Sequence, residues 1–519
     1  MIHSKQRQNF LLYNTLNKPI LLVLFMYRSR PRGTLDDATL KFLSSMDADQ
    51  DILFYDIMGS EAHSMMLYDI GLLSRPELKK ILQALEDVRK NPTQLKTDNF
   101  EDIHESLESF VIKQAGIDAG GKMHTARSRN DQVILDIRMK VRDDINNICL
   151  AIIDLIDSLL KKATENKEAV MPMYTHLQQA QIGTFSHYLL SYVDALLRDM
   201  DRLYITYGRV NQSPLGACAI GGSSININRR TTAFSLGFDG IIRNSVDATS
   251  SRDTLIEFTS GISIFMTTLS RLAEDFILWS TAEFGYLEVS DEYSSTSSAM
   301  PQKKNADPLE LIRAKASSVL GDLVTILSIV RALPSGYSRD LQELKPHLWN
   351  TSSTALEAVK IVNRVVTSID VHKERMQQTA NNSYALSVDI AEQLVVKKGM
   401  PFRVAHKLVG SLVEKAAREI KGQITMLEEQ DIKQILEKIE SDLQPAELMH
   451  LIREVTPQRS LEFRVSFGSP NPKEQEEMII FSRRRLAAYK EGVPKRKKNV
   501  DAAFQNLNRS VENYLTERR

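Results

Sequence analysis

The sequence predicts an all-α fold in three parts. Five long stretches repeat apolar residues at steps of three and four, and turn-rich or polar segments separate them. Strand signals are sparse: β-branched runs such as "SSININ" (223–228) are short and isolated between Gly222 and Arg229.

The elements follow in order. After Lys5 and Arg7, the run "KPILLVLFMY" looks faintly like a signal peptide. It is too short to span a bilayer and no small-residue cleavage motif follows, so it is read as a short buried strand or an over-long start, with Met26 the alternative initiator. Residues 1–26 are therefore set apart as an N-terminal extension. Residues 27–128 read as a polar, shorter-helix N-terminal domain. From Asp131 onward, Ile134, Ile137, Val141, Ile145, Ile148, Ile152, Ile156 and Leu159 share one helical stripe. Neither Gly nor Pro occurs between Lys122 and Met171, and a helix from Asp131 to about Glu165 reaches roughly 50 Å. Similar patterns run over Gln178–Arg209, Asp253–Phe284, Asp307–Leu333 and Leu348–Met376. Five such stripes can be hidden only against one another, so 129–378 is expected to be a bundle of about coiled-coil geometry. Residues 379–519 read as several shorter amphipathic helices punctuated by Pro401, Pro445, Pro457, Pro470 and Pro472.

Composition narrows the function. Lysine plus arginine (66) equals aspartate plus glutamate (66), so no global field draws the chain to nucleic acid or membrane. The basic clusters "SRRRL" and "PKRKKN" are read as a solvated helix face. Cys149 and Cys218 are too few for a disulfide scaffold, which fits a reducing cytoplasm. Downstream of the first residues every long apolar pattern is interrupted by charge, so no membrane span is expected.

Two glycine-rich stretches do not carry nucleotide chemistry. "GIDAGGKMH" has phosphate-loop spacing, but Met123 stands where Ser or Thr would bind magnesium and no strand pattern precedes it. "GACAIGGSS" lacks the dinucleotide order of glycines. With no H-E-x-x-H, C-x-x-C or paired histidines at helical spacing, no metal or other cofactor is expected.

Three stretches point to a site. His176 in "MPMYTHLQQAQ" alone would be a structural hydrogen-bonding residue, but its polar neighbours Tyr174, Thr175, Gln178 and Gln179, after a Pro172 that marks a helix start, fit a lined cleft. In "HTARSRNDQ", Ser128 or Asn130 caps the long helix and Asp131 favours its dipole. That explains Asp131 but not Arg127 and Arg129, two cations that suggest an anionic ligand shared with the helix end. "SDEYSSTSSAMPQKKN" gathers hydroxyls and cations where nothing from Ser294 to Ser298 is bulky. A serine becomes a base only when cations lower its pKa and water is shut out; Lys303 and Lys304, with Asn305, suit a carboxylate gaining negative charge.

"GGKMHTARSRNDQ", "MPMYTHLQQAQ", "NSVDATSSRD", "SSAMPQKKN" and "LPSGYSRDLQELK", in this order, resemble the argininosuccinate lyase family of the fumarase/aspartase superfamily. The likeness runs from about Tyr27 to "KKGMPFRVAH", ending at His406, and is looser beyond. The words "RSRNDQ" and "MPQKKN" discriminate, since fumarases and aspartases carry a "MPGKVN"-like loop. The resemblance implies a homotetramer around a twenty-helix core, each active site built from three subunits, and cofactor-free reversible elimination of L-argininosuccinate to L-arginine and fumarate. It makes Ser297 the loop serine and His176 a helix-borne histidine of the acid/base pair, with serine favoured as base. Glu310 would orient the histidine, and Lys303 and Asn305 would hold the succinyl carboxylate and its dianion. Ser45, Asn130, Thr175, Tyr337, Gln342 and Lys345 match family substrate contacts, and Arg129 and His104 fall in motifs lining the site. Thr296 stands where many relatives have Gly, and Ala306 where they have Pro; both bear on loop motion. The competing readings are an aspartase-like or adenylosuccinate-like lyase on the same fold, and a non-catalytic crystallin-like structural protein.

Overall fold

The computed structural model describes residues 36–95 and 100–516. The apolar run of the expected extension lies outside them. Among the described residues helices dominate, and strands occur as four two-stranded pairs. Helices α1 (Leu53–Asp69), α2 (Arg75–Lys90) and α3 (Ile103–Ala115) pack together and lead to α4, Arg129–Glu165. Ser128 is the N-cap of α4, and Asp131 returns a 2.9 Å bond to the Ser128 amide, closing a capping box. All eight residues of the stripe read from the sequence are at most 1% exposed. Each is worth roughly 2 kcal/mol of burial before the entropy of ordering it.

The expected helix from Gln178 begins only at Phe185. Gln178–Thr184 (β2) instead pairs antiparallel with Val170–Thr175 (β1), and Thr184, at the strand end, caps α5 (Phe185–Val210) through the His187 amide at 3.0 Å. Helix α6 (Asp253–Trp279) stops short of Phe284, where a turn closes with the Gly285 amide 2.7 Å from the Thr281 carbonyl. Helix α7 (Asp307–Val330) ends before Leu333, which precedes Pro334 and is pushed out of helical geometry. Helix α8 (Leu344–Ser368) starts earlier than expected and stops where Asp370–Val371 pairs with Leu287–Glu288; a separate α9 (Lys373–Asn381) follows. Helices α4 to α8 pack on one another as the expected bundle.

The C-terminal third holds the largest departure from expectation. Short helices such as α10 (Ser387–Lys398) and α11 (Phe402–Lys415) surround their own apolar core from Ile390 to Val455. The chain then ends the described region in α12, Pro472–Thr516, 45 residues with Pro494 inside, longer than α4. It lies against α4 and α5 and joins the main core. Its buried residues Ile479, Leu486, Val493, Val500 and Leu507 recur every seventh position, the repeat of a coiled-coil seam. The basic clusters sit on this helix, where Arg485 pairs with Asp201 (2.6 Å), Lys490 with Asp157 (2.7 Å), and Arg496 lies over the Tyr204 and Tyr207 rings. No described helix is long and apolar enough to cross a membrane. Both cysteines are free thiols.

Candidate active site

The start of α4 forms one wall of a cavity of about 390 Å³. Arg129 and Asn130 open the helix there; His104 comes from α3, and Tyr337 and Gln342 from the segment before α8. Gly336, with φ of 104°, makes the turn that delivers Tyr337, and a Cβ at that position would meet Ile220 at 2.9 Å. A narrow recess behind shares His104, Arg129, Tyr337 and Gln342 and adds Ser45 and Lys345. The fold thus brings together seven expected residues, Ser45, His104, Arg129, Asn130, Tyr337, Gln342 and Lys345, that lie far apart in the chain.

Buried charge holds these groups. Lys345 is 2% exposed, pairs with Asp49 and donates to Ser45 Oγ at 3.2 Å, while Ser45 donates to Asp49 at 2.7 Å. His104 Nδ1 lies 3.0 Å from Asp56 and 3.6 Å from Asp136, all three side chains at 3% exposure or less. Burial alone would lower the His104 pKa; the Asp56 carboxylate, with Asp102 and Asp49, outweighs it and the net shift is upward. Burial would likewise raise Asp56, but His104 and Arg127 bring it below its ordinary value. For Asp136 burial wins: together with the neighbouring Asp56 it outweighs the pull of Arg127 and Lys345 and pushes the carboxyl well above the carboxylate range. These three residues bring an imidazole nitrogen and two carboxylate oxygens within 4.8 Å, the one group among the described residues that could hold a metal ion; Arg127 supplies positive charge there from within the chain.

The two arginines of "RSRNDQ" have partners within their own chain, and one of them, Arg129, also faces the cavity where an anionic ligand was expected. Arg127 turns inward and donates to Ser60 Oγ at 2.9 Å. Arg129 pairs with Asp102 at 3.0 Å and faces the cavity. Asn130 donates its amide hydrogen to the Ala219 carbonyl at 2.9 Å, tying the helix start to the "GACAIGG" loop. Arg339, which the sequence motifs had not singled out, also lines the cavity and spans Glu101 (2.9 Å) and the Leu43 carbonyl (2.8 Å).

His176 is not helix-borne. It sits with Leu177 at the tip of the β1–β2 hairpin, φ of 54° and 58°, the double left-handed conformation of a tight hairpin turn that Asn and Gly ordinarily fill. Thr175 and His176 are exposed there. Tyr174, two residues before His176, meets the Tyr286 hydroxyl and Phe284 ring, which anchors the hairpin close to its tip.

The serine-rich loop is a second small hairpin, β3 (Ser295–Thr296) against β4 (Lys304–Asn305). Thr296, β-branched and extended, suits this strand. Lys304 is held at the neck by Glu288 (2.8 Å) and Asp291 (2.7 Å), and Ser295 bonds to Asp307. This separates the two lysines that the sequence had treated alike. Lys303 is exposed and its ammonium has no ionic partner among the described residues. Ser297 accepts from the Ala299 (3.3 Å) and Met300 (3.1 Å) amides. Glu310 is exposed on the first turn of α7, where Ala306 offers no side-chain cap, and within the chain it makes no hydrogen bond or ion pair to His176. Neither the cavity nor its recess is lined by Thr175, His176, Ser297, Lys303, Asn305 or Glu310.

A long-helix bundle carries a hydroxyl-rich loop, an imidazole at a hairpin tip and a polar cleft, and the relatives of this chain make it a carbon–nitrogen lyase. A family model described as Lyase matches residues 32–321, and one described as Argininosuccinate lyase C-terminal matches 384–449. The chain is 46% identical over 490 residues to an argininosuccinate lyase of Nitrosopumilus maritimus, covering 94% of this chain and 100% of that one. It is 39% identical to the enzyme of Methanocaldococcus jannaschii, covering 94% and 98%. An EDDS lyase in complex with formate superposes with a TM-score of 0.83 at 28% identity, covering 93% of this chain and 97% of that one. The class II fumarase of Schistosoma mansoni shares the fold at TM-score 0.65 and 16% identity, over 78% and 90% of the two chains. The chain belongs to the argininosuccinate lyase family.

Proposed function

We propose that the protein cleaves L-argininosuccinate reversibly to L-arginine and fumarate, as a step of arginine biosynthesis in the cytoplasm. The observation that carries this is the convergence of Arg129, Asn130, Tyr337, Gln342, Lys345 and Ser45 on one cleft in a chain of this family. Ser297 removes a carbon-bound proton beside a carboxylate. Lys303 and Asn305 stabilise the dianion that results, and the electron pair expels the guanidino nitrogen, which takes a proton from His176. Glu310 orients that imidazole, and Thr175 and His104 complete the substrate contacts.

The three groups of site residues do not share a cavity within one chain, which supports a homotetramer whose sites each draw on three subunits. An unpartnered apolar strip on α7, Leu320 (54% exposed), Val324 (55%) and Leu327 (42%), supports the same assembly. The division into 27–128, 129–378 and 379–519 is retained as the working domain organisation. The test is direct: on adding argininosuccinate, fumarate absorbance should rise in the ultraviolet, while aspartate and adenylosuccinate should yield none. Fumarate from either of those and not from argininosuccinate would overturn the assignment.

A further inference from the structure

A second carboxylate–imidazole pair stands in the cavity wall with no part yet in the reaction. Glu108 lies one helical turn beyond His104 on α3 and so faces the same side. His124 closes the short helical turn Gly121–His124 just before Arg127 and Ser128. Both line the 390 Å³ cavity, and His124 Nδ1 approaches Glu108 Oε2 to 2.9 Å.

A carboxylate only accepts hydrogen bonds, so Glu108 at this distance favours the tautomer with its hydrogen on Nδ1, which leaves the lone pair on Nε2. Nδ1 itself is buried and makes no hydrogen bond of good geometry, so its tie to Glu108 is the 2.9 Å electrostatic approach; the His124 side chain is 32% exposed and Glu108 only 10%. The accessible edge of the ring is therefore the one away from Glu108. Around it the cations are already engaged: Arg129 with Asp102 at 3.0 Å, Arg339 with Glu101 at 2.9 Å. This part of the cavity offers an acceptor backed by a carboxylate. A ligand carboxylate placed here is repelled by Glu108, whereas a cationic N–H donor is attracted.

We propose that the Glu108–His124 pair is a specificity element for the arginine end of the substrate, its imidazole accepting a hydrogen bond from a cationic N–H of that end. The inference rests on the proposed reaction, in which the succinyl end belongs to the Ser297–Asn305 loop, and adds two residues that read the other end.

The reverse reaction separates the two ends, because arginine and fumarate have separate KM values. His124→Ala is expected to raise the KM for arginine about tenfold, the loss of one hydrogen bond to a charged group. The KM for fumarate and kcat should stay within about twofold. His124→Gln, whose amide oxygen restores an acceptor, should recover part of the loss, and Glu108→Gln should fall between. Arginine binding by calorimetry should weaken in the same order, with thermal midpoints recorded to verify folding. A rise in the fumarate KM instead, or unchanged constants in folded variants, overturns the inference while leaving the reaction intact. No turnover by the unaltered protein in either direction overturns the reaction and this inference with it.

Discussion

Single residues carry two predictions. Ser297 touches no buried network, only the amides of its own loop. Ser297→Ala should therefore leave substrate binding and the thermal midpoint largely unchanged and remove turnover; normal turnover would rule out its role as base. His63 is the opposite case. Its ring is wholly buried and Nε2 lies 2.8 Å from the Thr125 carbonyl, to which the neutral ring donates. Burial, with Arg127 nearby, pushes its pKa down to about 3. The unfolded chain then binds a proton that the folded chain refuses, so this stability is present above about pH 6.5 and is lost as pH falls toward about 3, by several kcal/mol at about 1.4 kcal/mol per unit. Urea titrations between pH 7 and 4 should show the decline, and His63→Asn should flatten it. An equal slope in the variant would assign the acid sensitivity elsewhere.

At the scale of elements, period and punctuation made some parts legible and hid others. The α4 stripe was readable because eight aliphatic residues repeat without a break. The β1–β2 hairpin was not: its strand "QQAQIGT" is polar and Gly-containing, and its turn is His-Leu rather than Asn-Gly, so no turn chemistry announced it. Backbone held in that conformation by a non-glycine pair is characteristic of functional positions, which agrees with the role proposed for His176. Helix α12 was masked by prolines and basic clusters, yet its single apolar residue every seventh position was the available signal. The acidic members of the site, Asp49, Asp56 and Asp136, were missed because carboxylates on apolar helices look like surface residues until their partners are seen. The hairpin also fixes a boundary. Thr184 caps α5 and donates to Gln475 of α12 at 2.7 Å. Thr184→Ala should cost about 1–2 kcal/mol in denaturant unfolding; no loss would mean that α5 is held by packing alone.

At the scale of the whole molecule the proposed site residues fall in separate places. One chain builds a cleft but keeps its hairpin histidine and its loop serine outside it. Under the proposed assembly, a site with intact Ser297 and intact His176 draws these from different copies. Mixing inactive Ser297→Ala and His176→Asn proteins after dissociation and reassembly should therefore restore a fraction of activity, read as fumarate release. Mixtures that stay as inactive as their parents would place the whole site within one subunit.

The neck of the serine loop sets a geometric limit on that assembly. With Lys304 clamped between Glu288 and Asp291, only Ser297 to Lys303 is left to swing. Seven residues doubled back on themselves reach about 12 Å at roughly 3.5 Å each. Under the proposed assembly the neighbouring copy's cleft opens inside that short radius, so the leash would dictate how closely the chains are spaced.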